Sequence, residues 1–269
     1  MPGRIRRAFT LAETIVVIGI IVLLLAALLP MVNRARLSAK RARMAMDLTT
    51  IGIGLDAYHD DFGDYPRPAE HDYVSKQRGA EALCRAMLAP DGADGSYADG
   101  ADGFGFRTRR VDNVPQGRVY GPYLRPETFK IRRNPPSPGP SNIQPYYMVD
   151  LDDQPILYYV ARSSKPNIHL PDSFVALSAT PPPSPLFNVI DNSGPYPDGL
   201  YRMRLMLGDV SLDGAIDGDE TPASTGPYLL WCAGPDGAYG PIPDPRPLTP
   251  AQRRTLRSKV DDVTNFPFR

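Results

Sequence analysis

An apolar run near the amino terminus restricts the fold of this chain more than any other feature. The run over 9–32, "FTLAETIVVIGIIVLLLAALLPMV", contains a single charged side chain, Glu13. At about 1.5 Å per residue, a helix over this run extends about 36 Å, enough to cross a hydrocarbon core of about 30 Å. We therefore predict a transmembrane helix. Glu13 needs an explanation, because a carboxylate at the bilayer centre costs at least ~2.5 kcal/mol.

A secretory signal peptide and a plain signal anchor are two ordinary explanations of the apolar run, and neither explains all of its features. A secretory signal peptide has a shorter apolar core followed by small residues at a cleavage site, and "AALLPMVNRAR" does not provide one. A plain signal anchor accounts for the length and for the basic residues on both sides. It does not account for Glu13 or for the sharp boundary in "RRAFTLAE".

The boundary "RRAFTLAE" resembles the processing site of type IV prepilins and type II secretion pseudopilins. The resemblance implies that prepilin peptidase removes a basic leader, residues 1–8, by cutting between Ala8 and Phe9, and then methylates the new amine of Phe9. Glycine is commoner than alanine before the cut. A buried carboxylate is tolerated when it is paired, so Glu13 is expected to attract the Phe9 amine of a neighbouring subunit during assembly.

The helix is expected to continue beyond the membrane as an amphipathic segment over 33–62. Pro30 lies where many such subunits have a helix-kinking proline, and proline removes a backbone hydrogen bond, so we predict a bend or loosening between Gly19 and Pro30. Gly63 and Pro66 should end the helix. One apolar stripe at helical spacing predicts packing on a sheet; its members are Leu37, Met44, Leu48, Ile51, Leu55 and Tyr58.

The stretch "LDAYHDDFGDYP", with "RGAEALCRAM" after it, resembles the major pseudopilin of type II secretion. The matching positions are Leu55, Asp56, Tyr58, Gly63, Tyr65, Pro66, Gly79, Glu81, Ala82 and Leu83. The resemblance implies an α+β, pilin-like fold: a long N-terminal helix packed on a small antiparallel β-sheet with long loops, and a periplasmic head over 63–269. Apolar runs predict strands at 156–161, 200–207 and 228–232.

The sequence "DVSLDGAIDGDE", residues 209–220, fits a twelve-position calcium loop. Calcium needs six to eight oxygen ligands, and short side chains alternating along a tight loop can supply them. The candidate ligands are Asp209, Ser211, Asp213, Ala215 (through its carbonyl), Asp217 and Glu220, with Gly214 at the sharp turn. The pattern resembles the loop shared by EF-hands and dockerin repeats. Its alternative is a solvated acidic turn, and flanking amphipathic helices of a full EF-hand are not predicted.

A second calcium site is implied by the pseudopilin resemblance. The segments "AGPDGAYG" and "DDVTNF" resemble two halves of that family's C-terminal calcium loop, with Asp236 and Asp262 as the matching acids. An insertion rich in proline and arginine, roughly residues 241–260, separates the halves and leaves open whether one ion bridges them. The role expected of the ion is to stabilise the C-terminal part of the head.

Other features of the chain constrain its function less. The acids of "PDGADGSYADGADGFG" predict a flexible loop first, with ion binding as the alternative; they are Asp91, Asp94, Asp99 and Asp102. Cys84 and Cys232 allow at most one internal disulfide, and two buried thiols are the alternative. The 30 basic residues equal the 30 acidic ones, which argues against a nucleic-acid partner. Catalytic motifs are missing from the sequence, so we expect a structural protein rather than an enzyme.

Together these features predict a pseudopilin: a single-pass inner-membrane subunit with a periplasmic head that assembles into a helical pseudopilus and drives protein export. Its expected partners are prepilin peptidase, identical and related pseudopilins, the inner-membrane assembly platform and the inner membrane, and its expected cofactor is Ca²⁺. Two alternatives stay open: a subunit of a surface type IV pilus for adhesion or motility, and a membrane-anchored, calcium-dependent protein-binding module.

Overall fold

The computed structural model describes most of the chain. The residues described are 11–68, 79–90, 104–111, 114–133, 146–161, 174–176, 186–188, 192, 199–213, 220–224, 226–241 and 245–266. The chain divides into two compact units, Met1–Ala42 and Arg43–Arg269.

A single long helix, α1, runs over Leu11–Phe62 and remains helical through Pro30. It ends where Gly63 adopts a positive φ of 74° and donates its N–H to the His59 carbonyl oxygen at 2.7 Å. The predicted stop at Gly63 is therefore confirmed. The buried residues of α1 begin only in the second unit; they are Met44, Leu48, Ile51, Gly54 and Leu55. Leu37, which we expected in the buried stripe, is 44% exposed.

The remaining elements are short, as expected for a chain rich in proline and glycine. The helices are α2 (Gly79–Met87), α3 (Gly199–Leu207) and α4 (Pro250–Arg257). The strands are β1 (Phe106–Val111), β2 (Val114–Tyr120), β3 (Ile131–Arg133), β4 (Tyr146–Met148), β5 (Leu157–Val160), β6 (Phe174–Ala176), β7 (Leu186–Asn188), β8 (Tyr228–Cys232) and β9 (Val263–Thr264). A 3₁₀ turn covers Pro126–Thr128.

In the described residues the strand pairs are antiparallel, and they form several small sheets where one sheet was expected. The order β5-β8-β9 makes the largest, and the pairs β1-β2, β3-β4 and β6-β7 make the others. The chain is therefore α+β, with a long apolar N-terminal helix and small antiparallel sheets.

Both faces of the three-stranded sheet are buried. Because alternate side chains of a strand point to opposite sides of the sheet, each strand contributes residues to two cores. Tyr158 and Leu230 belong to one core, which also contains the buried α1 residues and α2. Tyr159 and Trp231 belong to a second core together with residues of α3. The sheet thus separates two apolar layers, and the candidate metal centres lie beside the second.

The helix α2 packs tightly against β5 through its first residue. A methyl group at Gly79 would lie 1.9 Å from the Tyr158 carbonyl oxygen, so only glycine fits there. Buried Asn192 bridges the two elements: it donates to the Tyr158 carbonyl at 2.7 Å and accepts from the Ala80 N–H at 3.0 Å. The helix expected at the "GAEAL" motif is present.

One strand prediction is wrong. Residues 200–207 form the helix α3, whereas 157–160 and 228–232 are strands as predicted. Met203, Met206 and Leu207 are spaced for one face of a helix and enter the second core, and methionine, leucine and arginine are all strong helix formers. Tertiary packing against this helical face outweighs the partial apolar alternation that suggested a strand.

Candidate metal centres

The predicted membrane and assembly residues lie at the start of the chain. Ala8 and Phe9 are outside the described residues, whereas Glu13 lies in the first turn of α1 and Pro30 lies within it. Within the described part of the chain, α1 is the helix with the length and composition to cross a membrane. Its most apolar window of 18 residues has a mean hydropathy of 3.2, and none of that window is buried.

Three carboxylates meet near the C-terminus of the chain. One oxygen from each of Asp236, Asp261 and Asp262 lies within 4.8 Å of the others. Asp236 is exposed, Asp261 is half-buried and Asp262 is buried. The two acids predicted from the sequence are therefore neighbours in space, although the inserted segment with α4 separates them along the chain. Among the described residues, this is the group of acids that meets the spacing needed for one ion.

Asp262 is the most strongly perturbed acid of this group. Its Oδ2 accepts hydrogen bonds at 2.6 Å from the indole N–H of Trp231 and at 2.6 Å from the Gly240 N–H. Burial raises the pKa of Asp262 to about 8, with a smaller contribution from the negative charges of Asp236 and Asp261; the two hydrogen bonds oppose that rise. A carboxylate held this way gains from a cation that replaces its lost hydration.

The other oxygen of Asp262 gives an independent indication of a ligand. Oδ1 is buried and accepts no hydrogen bond from the residues that the structure describes. A buried polar atom is normally paired. A hard cation that prefers carboxylate oxygens, such as Ca²⁺, fits this oxygen and its two acidic neighbours. The residues present therefore fit the cofactor predicted from the sequence.

Backbone contacts hold the two halves of this group together. Gly234 has φ of 72°, and a methyl group on it would lie 2.4 Å from the Asp261 carbonyl oxygen. The strands β8 and β9 pair through Trp231 with Thr264, and the side-chain oxygen of Asn265 accepts the Leu230 N–H at 2.8 Å. The "DDVTNF" segment is thereby fixed along the edge of the central sheet.

The 209–220 loop begins directly at the end of α3. The Asp209 N–H donates to the Arg204 carbonyl at 3.0 Å, and the Gly208 N–H donates to the Leu205 carbonyl at 3.2 Å. With Gly208 at φ of 121°, these bonds form the Schellman motif that ends many helices. The Ala223 N–H donates to the Leu207 carbonyl at 2.7 Å, so the chain returns to the end of α3 shortly after the loop.

Four of the six predicted ligands in the 209–220 loop are described. Asp209 is buried, and its Oδ1 accepts from the Ser211 hydroxyl at 3.2 Å and from the Leu212 N–H at 2.5 Å. Glu220 accepts the Ser211 N–H at 2.6 Å through Oε1. Its Oε2 is buried and receives no hydrogen bond from the described residues. Positions 1, 3 and 12 of the loop are thus linked to one another.

The remaining predictions have different outcomes. Ala215 and Asp217 lie outside the described residues, as does the 91–103 acidic segment. In the described residues, the carboxylates of Asp209, Asp213 and Glu220 do not come as close together as those of the C-terminal group. Cys84 and Cys232 are both buried and both free thiols, so of the two alternatives the structure has the unbonded one.

Two residues that contribute to the C-terminal centre, one acid and one hydrogen-bond donor to it, were not predicted from the sequence. Asp261 stands beside Asp262 in "DDVTNF", and the doubled acid was the available signal. Trp231 lies in a predicted strand. From the sequence alone, a tryptophan whose indole donates to a candidate metal ligand cannot be told from an ordinary core tryptophan. Phe266, the last residue of "DDVTNF", contacts Trp231 edge to face with ring centroids 6.0 Å apart.

Comparison with known proteins does not assign the chain to a family: no protein-family model, curated protein or solved structure matches it.

Proposed function

We propose that this chain is a pseudopilin, a structural subunit of a type II secretion pseudopilus that assembles into a helical periplasmic filament and drives protein export. The observation that carries the proposal is the construction of α1. Its N-terminal part is exposed and, apart from Glu13, apolar, while its C-terminal part has a buried stripe from Met44 to Leu55. One helix therefore combines a membrane segment containing a carboxylate with a packing surface.

In this proposal, prepilin peptidase cuts before Phe9, and the new amine pairs with Glu13 of the next subunit. The apolar segments leave the inner membrane at the assembly platform and pack against one another in the filament. The metal centres stabilise the head, because an ion that binds only the folded state adds its binding free energy to the stability.

The mass of the mature protein tests this proposal most directly. We expect a chain from its native membrane to begin at N-methylated Phe9. An intact Met1, or a cut near residue 30, would contradict the proposal. Assembly is tested separately by cross-linking in the membrane: Glu13→Ala should abolish the ladder of multimers, and Glu13→Asp, which keeps the charge, should retain part of it.

The 209–220 loop favours one further candidate, a membrane-anchored module that binds a partner protein in the presence of calcium. The observation behind it is the exposure of Ser211 and Asp213 at the end of α3. If Glu13→Ala leaves multimers intact while Asp213→Ala abolishes calcium-dependent capture of a partner, this candidate replaces the pseudopilin. A surface type IV pilus would give the same mature mass as a pseudopilus, but its filaments would appear outside the cell.

A further inference from the structure

The buried acid of the C-terminal centre has its two oxygens in different surroundings. Asp262 is only 8% exposed. Its Oδ2 accepts the indole N–H of Trp231 and the backbone N–H of Gly240, each at 2.6 Å. Its Oδ1 is also buried, and it accepts no hydrogen bond from the residues that the structure describes. The protein therefore supplies donors to one oxygen of this carboxylate and leaves the other for a ligand.

The donors at Oδ2 restrict how a cation can bind Asp262. A carboxylate offers about two lone-pair positions at each oxygen, and two N–H donors already occupy those of Oδ2. A cation at Oδ2 would have to displace one of these donors, and a buried N–H that loses its acceptor is costly. A cation at Oδ1 displaces neither donor. We therefore expect an ion shared with Asp236 and Asp261 to contact Asp262 through Oδ1.

The inserted helix α4 fixes the chain on the N-terminal side of Asp262. Arg253, on α4, is only 9% exposed, and its Nη1 donates to the carbonyls of Val210 at 2.9 Å and Ser211 at 2.7 Å. Both carbonyls belong to the 209–220 loop. Burying a guanidinium is costly unless its donors are satisfied, so these bonds hold α4 against that part of the head. Asp262 follows shortly after the end of α4.

The strand β9 fixes the chain on the other side of Asp262. Val263 directly follows this acid and pairs with Cys232 of β8. Because the backbone is held both before and after Asp262, the main freedom left to its carboxylate is rotation of the side chain. Hydrogen bonding at Oδ2 determines that rotation, and with it the position of Oδ1.

Trp231 is suited to hold the carboxylate in one orientation. Its side chain is fully buried in the second core and contacts Phe266 edge to face, so the ring cannot follow the carboxylate if the carboxylate turns. The indole nitrogen is a donor only, so it bonds to the carboxylate without competing for the ion. The second donor, the Gly240 N–H, belongs to the backbone, which leaves Trp231 as the side chain that sets this orientation.

We infer that Trp231 is a positioning residue for the C-terminal ion site: its indole N–H holds Oδ2 of Asp262, so that the carboxylate binds the ion through Oδ1 alone. The inference deepens the proposed function and rests on the calcium role given there. Hydrogen-bond partners of metal ligands commonly set the orientation of the ligand and the affinity of the site. The inference is incompatible with an ion bound by both oxygens, which would take the acceptor from the indole. It is also incompatible with a Trp231 that only fills the core.

The hydrogen bond from Trp231 can be followed in the unmodified protein. Trp231 is the single tryptophan, so the full-length protein in detergent micelles, labelled with ¹⁵N-tryptophan, gives one indole N–H signal by NMR. A hydrogen-bonded indole proton resonates downfield of a free one. On addition of Ca²⁺ we expect the signal to shift, because Asp262 now shares its charge with the ion, and to stay downfield, because the bond to Oδ2 persists. A move to the position of a free indole would show that the ion takes both oxygens, and would overturn the inference.

Calcium affinity tests whether this hydrogen bond matters for binding. Isothermal titration calorimetry measures the affinity, and the binding step that Asp236→Asn removes defines the C-terminal site. Trp231→Phe keeps an aromatic ring and removes the donor, so it should weaken that step by about tenfold. Phe187→Leu is the matched control: Phe187 is a fully buried aromatic residue of the same core, and its loss of packing should leave the calcium affinity unchanged. Melting temperatures in a chelator show whether the two variants lose comparable stability.

The outcomes separate the inference from the proposals beneath it. An unchanged affinity in Trp231→Phe, or equal losses in Trp231→Phe and Phe187→Leu, overturns the positioning role alone. If Trp231→Phe does not fold, the indole signal of the unmodified protein still decides the question. Absence of a binding step that depends on Asp236, together with an indole signal that Ca²⁺ does not move, overturns the calcium role and the inference with it. The mass of the mature chain still decides the assembly proposal.

Discussion

The two candidate metal centres are built in opposite ways. The 209–220 loop takes its candidate ligands from consecutive residues after α3, so its acids were found by spacing alone. The C-terminal centre takes Asp236 from one segment and Asp261 and Asp262 from another, with α4 between them. Yet the second, not the first, brings three carboxylates within 4.8 Å in the described residues. Local pattern identifies ligand types, but proximity depends on the packing of distant segments.

The largest expected effect is a loss of stability at the C-terminal centre. It tests whether the close approach of the two segments costs more to disturb than the local turn conformation does. Gly234→Ala would place a methyl group 2.4 Å from the Asp261 carbonyl. We expect it to lower the free energy of unfolding by ~3 kcal/mol or more, the upper end for a single substitution. Gly237→Ala is the control, since Gly237 has the same φ of 72° with nothing within 4 Å of the added methyl; it should cost only ~1 kcal/mol.

Urea denaturation followed by Trp231 fluorescence measures both variants. Equal losses in Gly234→Ala and Gly237→Ala would show that the approach of the two segments does not determine the stability of this centre.

The next largest expected effect is the stabilisation of the folded protein by calcium, which can be measured for each of the two centres. At a free concentration one hundred times the dissociation constant, one bound ion should raise the free energy of unfolding by about 2.7 kcal/mol. Asp213→Asn should remove the loop's contribution and Asp236→Asn that of the C-terminal centre. Thermal melts of the two variants with and without a chelator measure this. A melting temperature that calcium fails to raise in the unmodified protein would contradict both centres.

The smallest effect, taken per pH unit, is a pH dependence of the stability that belongs to the C-terminal centre only. Burial raises the pKa of Asp262 to about 8 in the folded state, compared with about 4 when unfolded. Between these values the folded state binds the extra proton, so the stability of the metal-free protein should fall as pH rises from 5 to 8. The slope is at most about 1.4 kcal/mol per pH unit for one proton.

Chemical denaturation at several pH values in a chelator measures that slope, and Asp262→Asn should flatten it. Saturating calcium should also remove the decline, because the ion favours the ionised carboxylate. A decline that persists unchanged in Asp262→Asn would place its cause in another group.

The parts of the fold that residues close together in the sequence determine could be predicted. The end of α1 follows from Gly63, which takes the positive φ that other residues avoid, and the strands β5 and β8 follow from compact apolar runs. The helix α3 was not predictable in this way, because "LYRMRLML" is compatible with either period. Packing of Met203, Met206 and Leu207 into one core decided between them.

The sequence by itself determined the apolar N-terminal helix, the position of Glu13 within it, the acids of the 209–220 loop and the candidates Asp236 and Asp262, since each depends on residue type and local motif. Only the tertiary structure decided that Asp261 joins Asp236 and Asp262, and that Trp231 donates to this group. It also decided that Arg253 ties the inserted segment to the 209–220 loop. These contacts join residues far apart in the chain, and the free energy that selects them comes from burial and backbone hydrogen bonding across the whole head.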